Sequence, residues 1–300
     1  MDAYCMVSDA ASEYEELMEL AEASDSKRQP TSFEMDMWEE RWILLQKELC
    51  QSEVVAEFAK SSESPMLQLE CAWKSQDWTK VRSLCSSSAL FSAVERGEPV
   101  VKMSETLLAV ADGKLSEVEN LHAQTAQLCL YRWQLLPRLS SGSMSHASLL
   151  HFFHRLVEIR ESGQIMVETN NHSSARTLPD LKNLLNAWRH RLPNEWESLS
   201  MWDEVMSWRS HMFSAISSNF NWSDADTLST LHDRPWTSVR MAKTARKQGM
   251  RDVALLLLNQ ATDERAINIS DAFLKLREQI LTYYNLDSKL ERHGGLNLIN

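Results

Sequence analysis

Apolar residues recur along nearly the whole chain at spacings of three and four, the signature of helices that bury one face. Between Met37 and Leu49, for example, Trp38, Trp42, Leu45 and Leu49 follow one another at intervals of 4, 3 and 4. No segment alternates with period two for long enough to demand a strand. Short Ser-, Pro- and Asn-rich joints interrupt the pattern at 61–65, 140–145, 169–177 and 219–226. Leu178-Pro179-Asp180 and Ser223-Asp224 carry helix-start signals, a proline near the first helical position and side chains able to cap orphan amides. The pattern therefore predicts an all-α chain of consecutive helices.

A weak internal repeat marks the joints between paired helices. Ala72 to Trp78 runs on to Val81, Ala109 to Lys114 runs on to Val118, and Ala245 to Met250 runs on to Ala254. In each case a small residue closes one helix, a tight turn falls at Gln76, Gly113 or Gly249, and a small or β-branched apolar residue follows five positions later. Small residues permit close antiparallel crossing, and Gly accepts the left-handed conformation at a helix end. The expected architecture is an α-solenoid of irregular tetratricopeptide-like helical hairpins.

Composition sharpens this picture. Only 7 Gly and 7 Pro occur among 300 residues, where the two together average roughly 12%; a barrel, a sandwich or a Gly-rich nucleotide-binding fold is disfavoured. The chain has 11 Trp, against roughly four from average usage, and each is expected to find a packing site between stacked helices. The net charge of -11 is confined to one end: residues 1–100 hold 9 Lys and Arg against 20 Asp and Glu, and the other 200 are balanced. Residues 1–34 are read as an acidic N-terminal lead-in, helical in part or disordered, ahead of a helical-repeat segment over 35–300. With no overall cation excess, direct nucleic-acid binding is not expected. The cysteines, at 5, 50, 71, 85 and 129, follow neither a disulfide nor a zinc pattern. No apolar run reaches membrane-spanning length, and the acidic start lacks the features of a secretory signal.

Chemistry is hard to find in the sequence. There is no GxGxxG, GxxxxGK[ST], HRD, DFG or GxSxG, so a phosphate cradle or hydrolase elbow is missing. His151 and His154 could share a helix face with Glu158 as metal ligands, but the favoured reading is two polar positions beside a core-facing Phe pair. His190 and His211 are read as surface or interhelical hydrogen-bonding groups, and Cys71 and Cys85 as small core residues. Arg240, Lys243, Arg246, Lys247 and Arg251 form a cationic helical stripe, of which Arg240, Lys243, Lys247 and Arg251 are kept as candidates for contact with an acidic partner. No catalytic residue, metal, cofactor or small-molecule substrate is expected.

Several segments resemble a known family. Trp38-Glu39-Glu40-Arg41-Trp42 and Leu69-Glu70-Cys71-Ala72-Trp73-Lys74 followed by Asp77-Trp78 are similar to the FAT region of the phosphatidylinositol-3-kinase-related kinases. The similarity runs on through Trp133-Gln134-Leu135-Leu136-Pro137 and His154-Arg155-Leu156-Val157-Glu158. It is most specific in Ala187-Trp188-Arg189-His190-Arg191-Leu192-Pro193, in Trp208 to Ile216 and in Ala245-Arg246-Lys247-Gln248-Gly249, and it reaches Leu276-Arg277-Glu278-Gln279. Within that superfamily the pattern is nearest to the transformation/transcription domain-associated pseudokinases. Residues 1–34 match nothing in it, and 217–236 diverge.

The resemblance implies a curved solenoid that clamps a kinase-like domain, within a non-catalytic nuclear scaffold of histone acetyltransferase complexes. Its expected partners are the rest of that scaffold, acetyltransferase-complex subunits and transcription activators. It also implies that the segment is truncated at its C-terminal end. Trp38, Trp42, Trp73, Trp78, Trp188, Trp208 and Gly249 match as packing elements, with Trp73, Trp78, Trp188 and Trp208 wedged between helix layers. The alternatives are the FAT region of a catalytically active serine/threonine kinase of the same superfamily, and a stand-alone tetratricopeptide-type adaptor.

Overall fold

A computed structural model describes residues 3–23, 30–61, 64–137, 144–171, 174–219, 234–260 and 269–284. Among them are fourteen α-helices and no strand. The helical period read from the sequence is thus realised as an all-α architecture of solenoid type, hairpin following hairpin. Two compact units divide the chain, and two of the four boundaries between them fall within the helices α3 (Ser52–Ser61) and α11 (Leu199–Asn219).

The first unit comprises Met1–Phe58, Leu192–Met206 and Asp224–Asn300. Its helices are α1 (Ala3–Ala23), α2 (Ser32–Glu48), α12 (Arg234–Lys247), α13 (Arg251–Gln260) and α14 (Ile269–Tyr284), with the start of α11. α1 packs on α2, and α12, α13 and α14 pack on one another. The core gathers Ala11, Leu49, Leu199, Trp202, Met241, Ala245, Val253 and Leu258. The acidic block is therefore helical over Ala3–Ala23, with Ala11 at 2% exposure. Thr31 starts α2 with a capping box, its hydroxyl accepting from the Glu34 amide while the Glu34 carboxylate accepts from the Thr31 amide. α11 is capped from a distance: the Glu48 carboxylate accepts from the Leu199 and Ser200 amides at 3.0 and 3.3 Å, satisfying donors that a helix start leaves orphaned.

The second unit comprises Ala59–Arg191 and Ser207–Ser223. It contains α4 (Pro65–Lys74), α5 (Trp78–Cys85), α6 (Phe91–Glu95), α7 (Pro99–Ala111), α8 (Leu115–Leu135), α9 (Met144–Asn171), α10 (Ser174–His190) and the remainder of α11. Sequence neighbours pack: α4 on α5, α7 on α8, α8 on α9, and α9 on α10. α10 begins at Ser174, ahead of the start signal at Pro179; a proline lacks the N–H that would bond back one turn, so the residues before it can still be helical at the loss of one backbone bond. Ser223-Asp224 and most of the joint at 219–226 lie outside the described residues.

The repeated joints have one geometry. Gln76, Gly113 and Gly249 have φ of +60°, +71° and +85°, and Cys50 and Gly97 join them at +56° and +72°. In every case the amide two residues past the helix cap bonds back to a residue in the last turn: Asp77 to Ala72, Lys114 to Ala109, Met250 to Ala245, Gln51 to Gln46 and Glu98 to Ala93. This is the Schellman closure, which satisfies carbonyls stranded at a helix end. The small residues fall at the acceptor position and are buried, as are Val81, Val118 and Ala254, which open the following helices. A Cβ at Gly113 would meet nothing within 4 Å, so Gly113→Ala is expected to cost about 1 kcal/mol by backbone strain alone. Gly113→Asn, which tolerates this conformation better, should lose less in a urea unfolding midpoint.

Candidate functional site

In the second unit, α9 places His154, Glu158 and Glu161 at i, i+4 and i+7, on one helical face. α11 presents Arg209 to that face. The Glu158 side chain is 1% exposed and that of Arg209 6%. The Arg209 Nε and Nη2 both donate to Glu158 Oε1, at 3.0 and 2.7 Å, and Nη2 also donates to the Arg191 carbonyl at 2.9 Å. His154 Nε2 lies 3.0 Å from the same carboxylate oxygen. Burial alone would raise the Glu158 pKa, yet the His154 hydrogen bond and the Arg209 charge hold it below the ordinary carboxylate value. One turn on, Glu161 accepts from Trp188 Nε1 at 3.0 Å and from Arg191 Nη1 at 2.8 Å. Trp188, from α10, is 1% exposed, and the Arg209 guanidinium lies 5.8 Å from its ring centre.

A second aromatic group surrounds His211. Trp73 and Trp78 both meet its ring edge-on, at 5.8 and 5.7 Å, and Trp73 meets Trp208 at 6.4 Å. The Gln76 side-chain amide reaches His211 Nδ1 at 2.7 Å, so a joint residue held in the left-handed region also makes a specific side-chain contact. Trp73 and Trp208 are buried, while Trp78 is half-buried. His211 is therefore an interhelical hydrogen-bonding group, enclosed between helices with 6% exposure.

In the first unit Trp42 is 4% exposed and packs on Phe58 at 5.0 Å, and Trp38, one turn earlier, is half-buried. Gly249 closes α12 with its left-handed turn. The cationic stripe is partly engaged within the unit. Lys247 pairs with Glu195, Arg246 donates to Glu278 at 3.0 Å, and Arg240 lies 5.4 Å from the Trp236 ring centre. Arg240 is exposed, and Lys243 and Arg251 are half-buried. Among the described tryptophans, two depart from the expectation that each packs in the core: Trp133 is 41% exposed, with its ring edge against His146, and Trp196 is 85% exposed. Trp196 sits in the polar turn between α10 and α11.

These groups bind one another. The buried carboxylate at Glu158, considered with His151 and His154 as a metal ligand, is held by a guanidinium and an imidazole, and no group of three metal-ligating side chains occurs among the described residues. Cys85 and Cys129 have thiol pKa values pushed up to about 11 by burial, which keeps them protonated at neutral pH. No helix is long and apolar enough to cross a membrane among the described residues. Sequence reading missed the Glu158–Arg209 pair, 51 residues apart, although the i, i+4, i+7 spacing of His154, Glu158 and Glu161 is a signal for a polar face. For the exposure of Trp196 the only signal is its setting among Asn194, Glu195, Glu197 and Ser198, where helical periodicity lapses.

Residues 65–298 match the FAT domain family. The transformation/transcription domain-associated protein of Mus musculus is 31% identical over 97% of this chain, which covers 12% of that protein. The SAGA complex/NuA4 acetyltransferase complex subunit TRA1 of Saccharomyces cerevisiae is 32% identical over 89% of this chain, covering 8% of its length. The human transformation/transcription domain-associated protein is 30% identical over 97% of this chain, again covering 8%. The chain thus spans about a tenth of the length of these relatives.

Proposed function

From the premise that the chain belongs to the FAT domain family, we propose that it is a non-catalytic scaffold segment of a transcription coactivator, one that organises histone acetyltransferase complexes and links them to activators. The observation that carries this reading is the match over residues 65–298 together with relatives whose own names place them in transcription, one of them in acetyltransferase complexes. The buried chemistry agrees with it: the ionisable groups of the helix interfaces are spent on one another, as in a structural element. Its partners are the remaining scaffold, including a kinase-like domain, acetyltransferase-complex subunits and activators, and its place of action is the nucleus.

The test is affinity capture of the tagged parent protein from nuclear extract, with mass spectrometry and a histone acetylation assay on the eluate. Acetyltransferase subunits and activity should co-purify. Their absence, or a downstream kinase-like domain with intact HRD and DFG motifs and phosphotransferase activity, would replace the scaffold reading with that of an active kinase.

A further inference from the structure

Trp196 stands on a turn that is braced from several sides. The Glu197 amide donates to the Asn194 carbonyl at 3.0 Å, the Asn194 amide donates to the Glu197 carboxylate at 3.2 Å, and the Trp196 amide donates to Asn194 Oδ1 at 3.4 Å. From the turn that ends α12, Gln248 donates to the Glu195 and Glu197 carbonyls at 2.7 and 2.8 Å, so it clamps the peptide on either side of Trp196. From α11, Trp202 Nε1 donates to the Asn194 carbonyl at 3.1 Å. With the backbone fixed in this way, a partner that covers the indole need order only its side chain and not the turn that carries it. Tryptophan and arginine are the residues most often found to dominate binding energy at interfaces.

The helix beside the turn is cationic, whereas the turn itself carries Glu195 and Glu197 on either side of the indole. α12 carries Arg234, Arg240, Lys243, Arg246 and Lys247 and no acidic residue. Arg240, Lys243 and Lys247 stand at i, i+3 and i+7, on one face, and all three act on Glu195, the residue next to Trp196. The Lys247 hydrogen bond contributes most to holding that carboxyl below its ordinary pKa, with the Lys243 and Arg240 charges adding to it. Lys247 is thereby engaged with Glu195, while Arg240 and Lys243 stand on the same helical face.

We infer that Trp196, with Arg240, Lys243 and Lys247, forms a docking site for an acidic peptide segment of another protein that brings an apolar side chain to the indole. The indole supplies apolar area at a fixed position, and the cations select a partner with an excess of carboxylates and speed its approach. This deepens the scaffold reading, on which it rests for having a protein as partner, by assigning a surface and a chemistry to one such contact.

The test uses the 300-residue chain and a short fluorescein-labelled peptide rich in Asp and Glu that carries Leu and Phe, read by anisotropy at low and moderate salt. Binding with a Kd in the micromolar range is expected, weakened about tenfold or more by Trp196→Ala and by the paired reversal Arg240→Glu with Lys243→Glu. Rising salt should weaken the wild-type complex more than that of the charge-reversed variant. Phe273→Ala, which removes an aromatic exposed to 66% elsewhere in the same unit, should leave the Kd unchanged, and so excludes general stickiness. Circular dichroism confirms that each variant is folded.

The inference is overturned if the peptide does not bind, if Trp196→Ala leaves its Kd unchanged, or if a peptide with the same charges but no Leu or Phe binds equally. It is also overturned if duplex DNA or phosphatidylserine vesicles take up the site in preference, or if Trp196 instead mediates self-association by sedimentation. In all these cases co-purification of acetyltransferase subunits with the parent would persist, which separates failure of this site from failure of the scaffold reading.

Discussion

Arg209→Ala is expected to destabilise the unit that contains it by about 3–5 kcal/mol, because it leaves the Glu158 carboxylate ionised, buried and without its main cation. The Glu158 side chain is 1% exposed, so water cannot take over the role of the guanidinium. The substitution also frees the Arg191 carbonyl, which accepts from the same Arg209 nitrogen. Replacing both partners, as in Arg209→Leu with Glu158→Leu, should recover most of the loss, since an apolar pair avoids the desolvation that the ion pair must offset. Urea unfolding of the single and double variants gives the comparison. A double variant no more stable than Arg209→Ala would mean that the network is needed for more than neutralising one charge. Acid provides an independent check. The folded pKa of Glu158 lies below its ordinary value of 4.5, so the ionised carboxylate contributes its stability fully above about pH 5. That contribution falls away as pH drops through 4.5 toward the lowered value. The gap between wild type and Glu158→Gln should therefore narrow in that window, and a gap independent of pH would refute the assignment.

Trp188→Ala should cost a similar amount, about 3–5 kcal/mol, by opening a large cavity between α9 and α10. The side chain is 1% exposed and its N–H donates to Glu161. Trp188→Phe should cost less, because most of the apolar volume remains and Glu161 keeps its bonds from Arg191. Trp196→Ala, at an indole exposed to 85%, should move the same unfolding midpoint by less than about 0.5 kcal/mol. A Trp188→Ala midpoint equal to that of wild type would show that the ring is not a packing element.

The contrast between those two tryptophans shows how far sequence carries. Helical spacing is a property of a dozen neighbouring residues, so the succession of helices could be read directly, and so could the joints at Gln76, Gly113 and Gly249 with the small residues that precede them. Trp188 follows Leu181, Leu184 and Leu185 on a helix whose buried face is periodic, which fits its burial. Trp196, eight positions on, falls where periodicity ceases, and composition alone, which counts all tryptophans alike, placed it inside. Gln76 was recognisable as a turn, but nothing near it in sequence pointed to His211.

By itself, then, the sequence determined the helical class of this protein, the joints of its hairpins and, through the ordered motifs between Trp38 and Gln279, its resemblance to the FAT region, because propensity, periodicity and helix-end geometry are all local. The tertiary structure decided which faces meet. It chose Arg209 as the partner of Glu158, sent Glu48 to cap α11 and left Trp196 in water, since each of those outcomes depends on residues brought together from distant parts of the chain and on the water excluded, or admitted, where they meet.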